Sequence, residues 1–269
     1  TGDGNSDMLG YSVRLNDDGT ILAASAAYTT SGYARAYQYS NNNWSQIGST
    51  FSSHGGQKID INSSGNIILV ANFQTYNEEE SKSGKIQAFE FTSGEWMQKG
   101  DDLDGNYSMG QGVRLGASLA MSSTGERFVA SLPNDNGSGT RSGILKTFKY
   151  NSQSEAWVQY GGTINGEGST AFEQVGSSPN AFSISSDGEM IIIGSERNAD
   201  GGGNAGHFRI YKLINNNWVQ QGIDIDGAAG DQFGSATTIS RDGKKIAVSA
   251  PFYDGPDTES GYVKIYTIE

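Results

Sequence analysis

Five copies of one short pattern run through the chain, and no other feature constrains its fold as tightly. A turn signal recurs at Asn16-Asp17-Asp18-Gly19, Asn62-Ser63-Ser64-Gly65, Ser122-Ser123-Thr124-Gly125, Ser185-Ser186-Asp187-Gly188 and Ser240-Arg241-Asp242-Gly243. An apolar run follows each one, such as Ile67-Ile68-Leu69-Val70 or Ile191-Ile192-Ile193. Next comes an alternating stretch that opens on glycine: Gly32 to Tyr39, Gly84 to Phe91, Gly143 to Tyr150, Gly206 to Leu213 and Gly261 to Ile268. A Trp-x-Gln element closes the first four copies, at Trp44, Trp96, Trp157 and Trp218, and is missing from the fifth.

Every element reads as β-strand. Period-2 alternation puts Ile86, Ala88 and Glu90 on one face and Gln87, Phe89 and Phe91 on the other. Both faces carry apolar side chains, so the strands are expected to be covered on both sides. Asp-Gly and Ser-Gly turns suit hairpins, because glycine accepts positive φ without steric cost. No stretch has a sustained helical period with caps. The 269 residues divided by five copies give about 54 residues per unit, and four antiparallel strands at such a period mark a propeller blade. The prediction is an all-β chain: one five-bladed β-propeller over 1–269, with blades at about 1–50, 51–105, 106–167, 168–228 and 229–269. The last blade should have three strands. Thr1 to Asp7 is too rich in Gly and Asp to supply a fourth, so 261–268 is expected to be an exposed edge that pairs with a flanking segment of the parent chain or with another molecule.

Composition narrows the function. The chain has no cysteine, which removes disulfides, thiolate metal sites and cysteine nucleophiles. Its net charge of −12 disfavours nucleic acid and anionic membranes as partners. No apolar run is long enough to span a bilayer. The polar opening Thr1-Gly2-Asp3-Gly4 reads as part of a mature or excised piece rather than a leader.

The last copy contains Phe233-Gly234 and then Ser249-Ala250-Pro251. This pair resembles the FG-GAP repeats of integrin alpha subunits and related extracellular propellers. The longer pattern from Trp218 through Asp224-Ile225-Asp226-Gly227 to Asp242-Gly243 is similar to tandem repeats of secreted and surface proteins. The resemblance implies extracellular adhesion or ligand binding. Many such repeats hold calcium in an Asp-x-Asp/Asn-x-Asp-Gly-x-x-Asp loop, whereas here that segment has shrunk to a Ser-x-Asp-Gly hairpin that cannot supply six to eight oxygens. No cofactor or metal is therefore expected. Weak calcium binding is left to Asn134-Asp135-Asn136-Gly137 and Asn198-Ala199-Asp200-Gly201, which serve equally well as Asx turns.

In such a meander the long loops before the glycine-led strands and after the Trp strands share one side. They are rich in acidic and aromatic residues, and Tyr76, Tyr107, Phe172, Tyr253, Asp254 and Asp257 are the candidate ligand contacts. The four Trp residues recur at one strand position and are read as structural, and the Gln two places on as a hydrogen-bonding edge residue. No nucleophile elbow or Ser–His–Asp set occurs. His54 and His207 read as ordinary loop and strand-edge residues, and Asp60 as the one acidic residue on an inner strand. The sequence thus predicts a non-enzymatic extracellular binding module for a protein or glycan. A lectin is the alternative, and a propeller glycoside hydrolase, which needs paired carboxylates, comes third.

Overall fold

The structure is a computed structural model. It describes residues 2–4, 7–27, 32–51, 56–74, 83–105, 107–108, 111–168, 174–178, 180–255 and 257–268. Among these residues there is no helix, and five antiparallel sheets account for most of the strands. The first sheet has the order β1 (Leu9–Leu15), β2 (Ile21–Ala26), β3 (Tyr33–Ser40), β4 (Asn43–Phe51). The second runs β5 (Lys58–Ile61), β6 (Ile67–Asn72), β7 (Lys85–Thr92), β8 (Glu95–Gln98), with β9 (Leu103–Asp104) also on β7. A small hairpin, β10 (Tyr107–Ser108) and β11 (Gln111–Gly112), follows. The third sheet is β12 (Leu119–Met121), β13 (Arg127–Leu132), β14 (Ile144–Asn151), β15 (Ala156–Asn165). The fourth is β16 (Phe182–Ile184), β17 (Met190–Ser195), β18 (His207–Ile214), β19 (Asn217–Gln220), with β20 (Ile225–Asp226) also on β18. The fifth has three strands, β21 (Thr237–Ile239), β22 (Lys245–Ala250) and β23 (Tyr262–Thr267). By contact density the chain divides into two compact units, Thr1–Phe128 with Phe148–Val158 and Val129–Thr147 with Gln159–Glu269.

The turn signals perform the predicted work, and their first residue has a specific task. Gly19, Gly65, Gly125, Gly188 and Gly243 all have φ between 71° and 78°. In each turn the Asn or Ser three places before the glycine accepts the backbone N–H at the head of the next strand: Ile21 to Asn16 Oδ1, Ile67 to Asn62 Oδ1, Arg127 to Ser122 Oγ, Met190 to Ser185 Oγ and Lys245 to Ser240 Oγ. The strand that follows is the buried one. Ile68, Leu69, Ile191, Ile192, Ile193 and Ile246 are all fully buried, and a side chain of this size contributes ~1.5–3 kcal/mol when taken from water. Ile68, Val70 and Phe89 share a core with Ile21, Ala23 and Phe51 of the first sheet, and Ile192 and Phe208 share another with Ile246 and Val248 of the fifth.

The Trp residues join successive repeats. Trp96 Nε1 donates to Ile47 O at 3.1 Å, and Trp157 Nε1 donates to Lys99 O at 2.7 Å. Trp218 Nε1 donates to Thr147 Oγ1 at 2.9 Å, and that hydroxyl passes a bond on to Tyr160 O at 2.5 Å. Each indole lies over a glycine of the preceding Trp strand. A Cβ added at Gly48, Gly100 or Gly161 would stand 2.8, 3.0 or 2.4 Å from Trp96, Trp157 or Trp218 respectively.

A second seam is made of backbone. The glycine heading β7, β14 and β18 (Gly84, Gly143, Gly206) has φ of 82°, 77° and 71°. Against it lies the main chain of the next repeat: a Cβ there would meet Leu115 O at 2.3 Å, Val175 N at 2.7 Å or Phe233 O at 2.1 Å. The N–H groups of Leu115, Val175 and Phe233 donate back to Ser83, Ser142 and Ala205. Phe233 of the Phe-Gly pair is fully buried in this position. Gly206→Ala should therefore cost ~2–4 kcal/mol, through positive φ together with a backbone clash. Gly243→Ala has a φ of 71° but nothing within 4 Å of the new Cβ, and should cost only ~1 kcal/mol. Urea denaturation of the two variants measures the difference, and equal costs would contradict the seam.

Candidate functional site

Three long loops of the second unit converge on the head of β18. His207, the first residue of that strand, is fully buried, and its Nδ1 lies 3.6 Å from Glu167 Oε2, 3.7 Å from Asp224 Oδ2 and 3.9 Å from Asp226 Oδ1. Strand pairing sets this geometry, because His207 is in register with Asp226 and Phe208 with Ile225. Asp224 is held by Gln220 Nε2 at 2.5 Å, the Gln of the Trp-x-Gln element. Glu167 arrives from the loop after β15. It accepts Asn198 Nδ2 at 2.9 Å, and Asn198 Oδ1 in turn accepts the backbone N–H of Asp200 at 2.9 Å. Arg209, nearly buried on β18, brings the nearest cation, with Nη1 3.8 Å from Glu167 Oε1.

Burial and crowding push the charges in opposite directions. Burial, helped by the Arg209 charge, lowers His207 to about 4, so its imidazole is neutral at pH 7. Burial and a hydrogen bond to Asp224 raise Glu167 to about 8. Burial alone would raise Asp224 as well, but the hydrogen bonds from Glu167 and Gln220 outweigh it and hold Asp224 below the usual carboxylate range. Asp226 is raised by burial and by the neighbouring carboxylates of Asp224 and Asp200. Glu167 and Asp224 thus share a proton beside a neutral imidazole. Glu167, His207 and Asp224 each offer one donor atom, all within 4.8 Å of one another, a spacing that suits a metal ion.

The second sheet has the same arrangement in a closed form. Lys85 heads β7 as His207 heads β18, and its Nζ lies 2.6 Å from Asp102 and 3.3 Å from Asp104, the counterparts of Asp224 and Asp226. Gln98 Nε2 donates to Asp102 at 2.9 Å. There the carboxylates carry their own ammonium; around β18 a neutral imidazole and a further carboxylate stand in its place.

The predicted contacts fare unevenly. Tyr76 and Phe172 lie outside the described residues. Tyr107 opens β10, paired with Gly112. Tyr253 is 38% exposed and stacks edge-on against Tyr262 with ring centroids 4.8 Å apart. Tyr253 and Asp254 line one side of a groove of about 580 Å³ closed by Asp231 and Gln232. Asp254 Oδ1 also accepts the Glu259 N–H at 2.8 Å, and Asp257 is exposed, next to Thr258 and Glu259 of the groove lining but not part of it. His54 lies outside the described residues. The reading of His207 as an ordinary strand-edge residue is corrected: it heads a strand paired with β17, β19 and β20, and it is buried at the centre of the charged cluster. Of the two Asx-rich loops, Asn198–Asp200 reaches the cluster. In the other, Asp135 Oδ1 accepts Gly137 N–H and Asn136 Oδ1 accepts Arg141 N–H, as turn residues do. The Gln recurrence could have revealed the cluster, because Gln98-x-x-x-Asp102-x-Asp104 and Gln220-x-x-x-Asp224-x-Asp226 share one spacing. Glu167 has no such signal.

Residues 218–266 match the FG-GAP repeat. The match spans the cluster's Asp224 and Asp226, the Phe233-Gly234 pair and the last sheet. A search of curated proteins gave no match. Among solved structures, the chain is similar to a protein of Bacteroides uniformis provisionally named a 6-phosphogluconolactonase, at 11% identity and a TM-score of 0.60, over 97% of this chain and 68% of that one. A Bacteroides fragilis protein with the same provisional name aligns at 13% identity and a TM-score of 0.59, over 97% and 67%. A protein of unknown function from Desulfotomaculum acetoxidans aligns at 11% and 0.58, over 95% and 69%. At these identities the likeness is one of fold, and with the FG-GAP match it supports β-propeller architecture.

Asp60, the inner-strand carboxylate, sits apart from the cluster in a structural role. Its Oδ2 accepts Met121 N–H at 2.8 Å and its Oδ1 accepts Ile61 N–H at 3.0 Å, with Arg14 Nε at 3.7 Å. Burial raises it to about 6 against the pull of Arg14 and these bonds. A carboxyl raised on folding stabilises below its unfolded value, near 4, and loses that contribution as pH rises through 6. Asp60→Asn should therefore cost less stability at pH 7 than at pH 4. Urea midpoints at the two pH values test this, and a larger cost at pH 7 would contradict it.

Proposed function

We propose that the five repeats are five blades of one propeller, and that the chain is a non-enzymatic binding and adhesion module acting outside the cell. Its ligand is taken on the side of the long loops, at the Glu167–His207–Asp224 cluster, which holds a divalent cation. The FG-GAP match at 218–266 supports the extracellular setting, and five in-phase copies of the turn and strand signals support the blade number.

The observation that carries the reading is the contrast between β7 and β18. At the same strand position one repeat pairs its two aspartates with the Lys85 ammonium, while the other presents a neutral His207 and brings in Glu167. Arg209 is the near cation of Glu167 and Asp224, while Asp200 and Asp226 add two further carboxylates, which leaves an excess of negative charge that a bound cation would relieve. One imidazole nitrogen and two carboxylate oxygens, with Glu167 and Asp224 partly open to solvent, make a three-ligand site that leaves a coordination position free. The donor set suits zinc or manganese better than calcium, which takes six to eight oxygens.

Isothermal titration with Zn²⁺ and with Ca²⁺ is the test. One Zn²⁺ per chain should bind, with Ca²⁺ weaker. Asp224→Asn and His207→Ala should each weaken Zn²⁺ about tenfold or more, and circular dichroism should confirm that both variants are folded. Absence of Zn²⁺ binding at millimolar concentration, or binding unchanged in a folded Asp224→Asn variant, would overturn the site.

A further inference from the structure

Among the described residues the Trp seam is built three times, and a fourth glycine in the same position has no Trp against it. Gly222 occupies the same position in β19's repeat as Gly48, Gly100 and Gly161 do in theirs. Its φ is 74°, against 66°, 77° and 70°. The other three glycines each have a Trp of the next repeat against them, but a Cβ built on Gly222 meets nothing within 4 Å. The strand beside it is equally uncovered. Among the described residues β23 pairs with β22 alone, and Val263 and Ile265 on it are 65% and 71% exposed.

We propose that the outer edge of β23 is the docking site of one further polypeptide strand of the pattern Trp-x-Gln-x-Gly-x-Asp-x-Asp-Gly, supplied by a repeat segment outside these 269 residues. The other repeats define the occupant. In β7 and β18 the partner of Trp is Phe91 or Leu213, the partner of Gln is Phe89 or Tyr211, and the last Asp faces Lys85 or His207. Carried over in register, the incoming Trp lies opposite Ile268, its Gln opposite Tyr266 and its last Asp opposite Tyr262. The indole falls over Gly222, and its N–H points at the main chain of Gln221, the counterpart of Ile47 and Lys99, which accept from Trp96 and Trp157.

Two further features fit this occupant. A cleft of about 460 Å³, bounded by Asp226, Tyr262, Val263 and Lys264, runs along β23 where β9 and β20 run along their own sheets. Lys264 holds the place of Gln87, which donates to Asp102 at 2.9 Å. The first Asp of the incoming strand therefore meets an ammonium where Asp102 meets an amide. The strand gains backbone bonds along an open edge, a buried indole and a charge pair. This docking does not depend on the cation site, since none of its contacts uses Glu167 or His207.

The test is fluorescence anisotropy with a labelled peptide copied from Asn216 to Gly227, added to the 269-residue chain. Saturable binding is expected, together with a rise in melting temperature. Replacing Trp by Ala in the peptide should weaken binding about tenfold or more, a loss of about 1.4 kcal/mol. So should Gly222→Asn in the protein, because Asn accepts positive φ while filling the place of the indole. Ile265→Lys, on the strand edge, provides a second variant that leaves Gly222 intact. The idea fails if no binding appears at millimolar peptide, or if binding ignores both the peptide's Trp and Gly222. It also fails if sedimentation shows a dimer that the peptide does not disperse, since the edge would then be occupied by a second copy.

Discussion

The fold depends on main chain packing directly on main chain. At Gly84, Gly143 and Gly206 the backbone of the following repeat lies where any side chain would have to be, close enough for its N–H to bond the residue just before the glycine. The residue ahead of the crossing segment turns through positive φ to make this approach, at Arg114, Gln174 and Gln232. Placing Phe233 or Leu115 this way buries the side chain and satisfies the backbone in one step. The Phe-Gly signature is thus a rule about backbone distance, and its aromatic ring is one of several side chains that can occupy the place.

Much of this architecture was legible in the sequence, because backbone constraints single out particular residue types. A glycine with positive φ admits few substitutes, so turns and seams appear as recurring Gly. A Trp that must reach the neighbouring repeat from one strand position recurs with its strand, and the Gln after it recurs as a donor to the segment that follows, to an aspartate at Gln98 and Gln220 and to Gly48 O or Thr163 Oγ1 at Gln46 and Gln159. Side-chain chemistry was much less legible. Glu167, His207 and Asp224 come from three separate loops and strands; Asp224 alone has a spacing from the preceding Gln, and it is the pairing of β18 with β20, His207 opposite Asp226, that brings it to the histidine. A lone histidine at a strand head looks ordinary until the register shows what faces it. The loop aromatics leave no such trace for the opposite reason, since a ring on a long loop carries no register at all.

Lys85 and His207 show how one scaffold position can hold two kinds of chemistry. Both head the third strand of their sheet, and both face an aspartate pair fixed by a Gln. With lysine the aspartate pair is tied to a cation at the same position and the position is closed. With histidine, burial removes the ring's own charge, and the carboxylates must share a proton. Exchanging the residue at a strand head and adding one carboxylate from a neighbouring loop therefore separates a structural ion pair from a site with unspent charge on the same strand scaffold.

The Trp contacts all run in one sense: the indole of a later repeat reaches back to the strand of an earlier one. A row of units joined in this way has a polarity, like a chain of hooks and eyes. Trp44 is 39% exposed where Trp96 and Trp157 are buried, and among the described residues nothing stands within 4 Å of a Cβ on Gly222. Such a junction can be reused from unit to unit with little change, since what each indole needs is a glycine in the preceding repeat and one oxygen beside it, a carbonyl in two junctions and the Thr147 hydroxyl in the third.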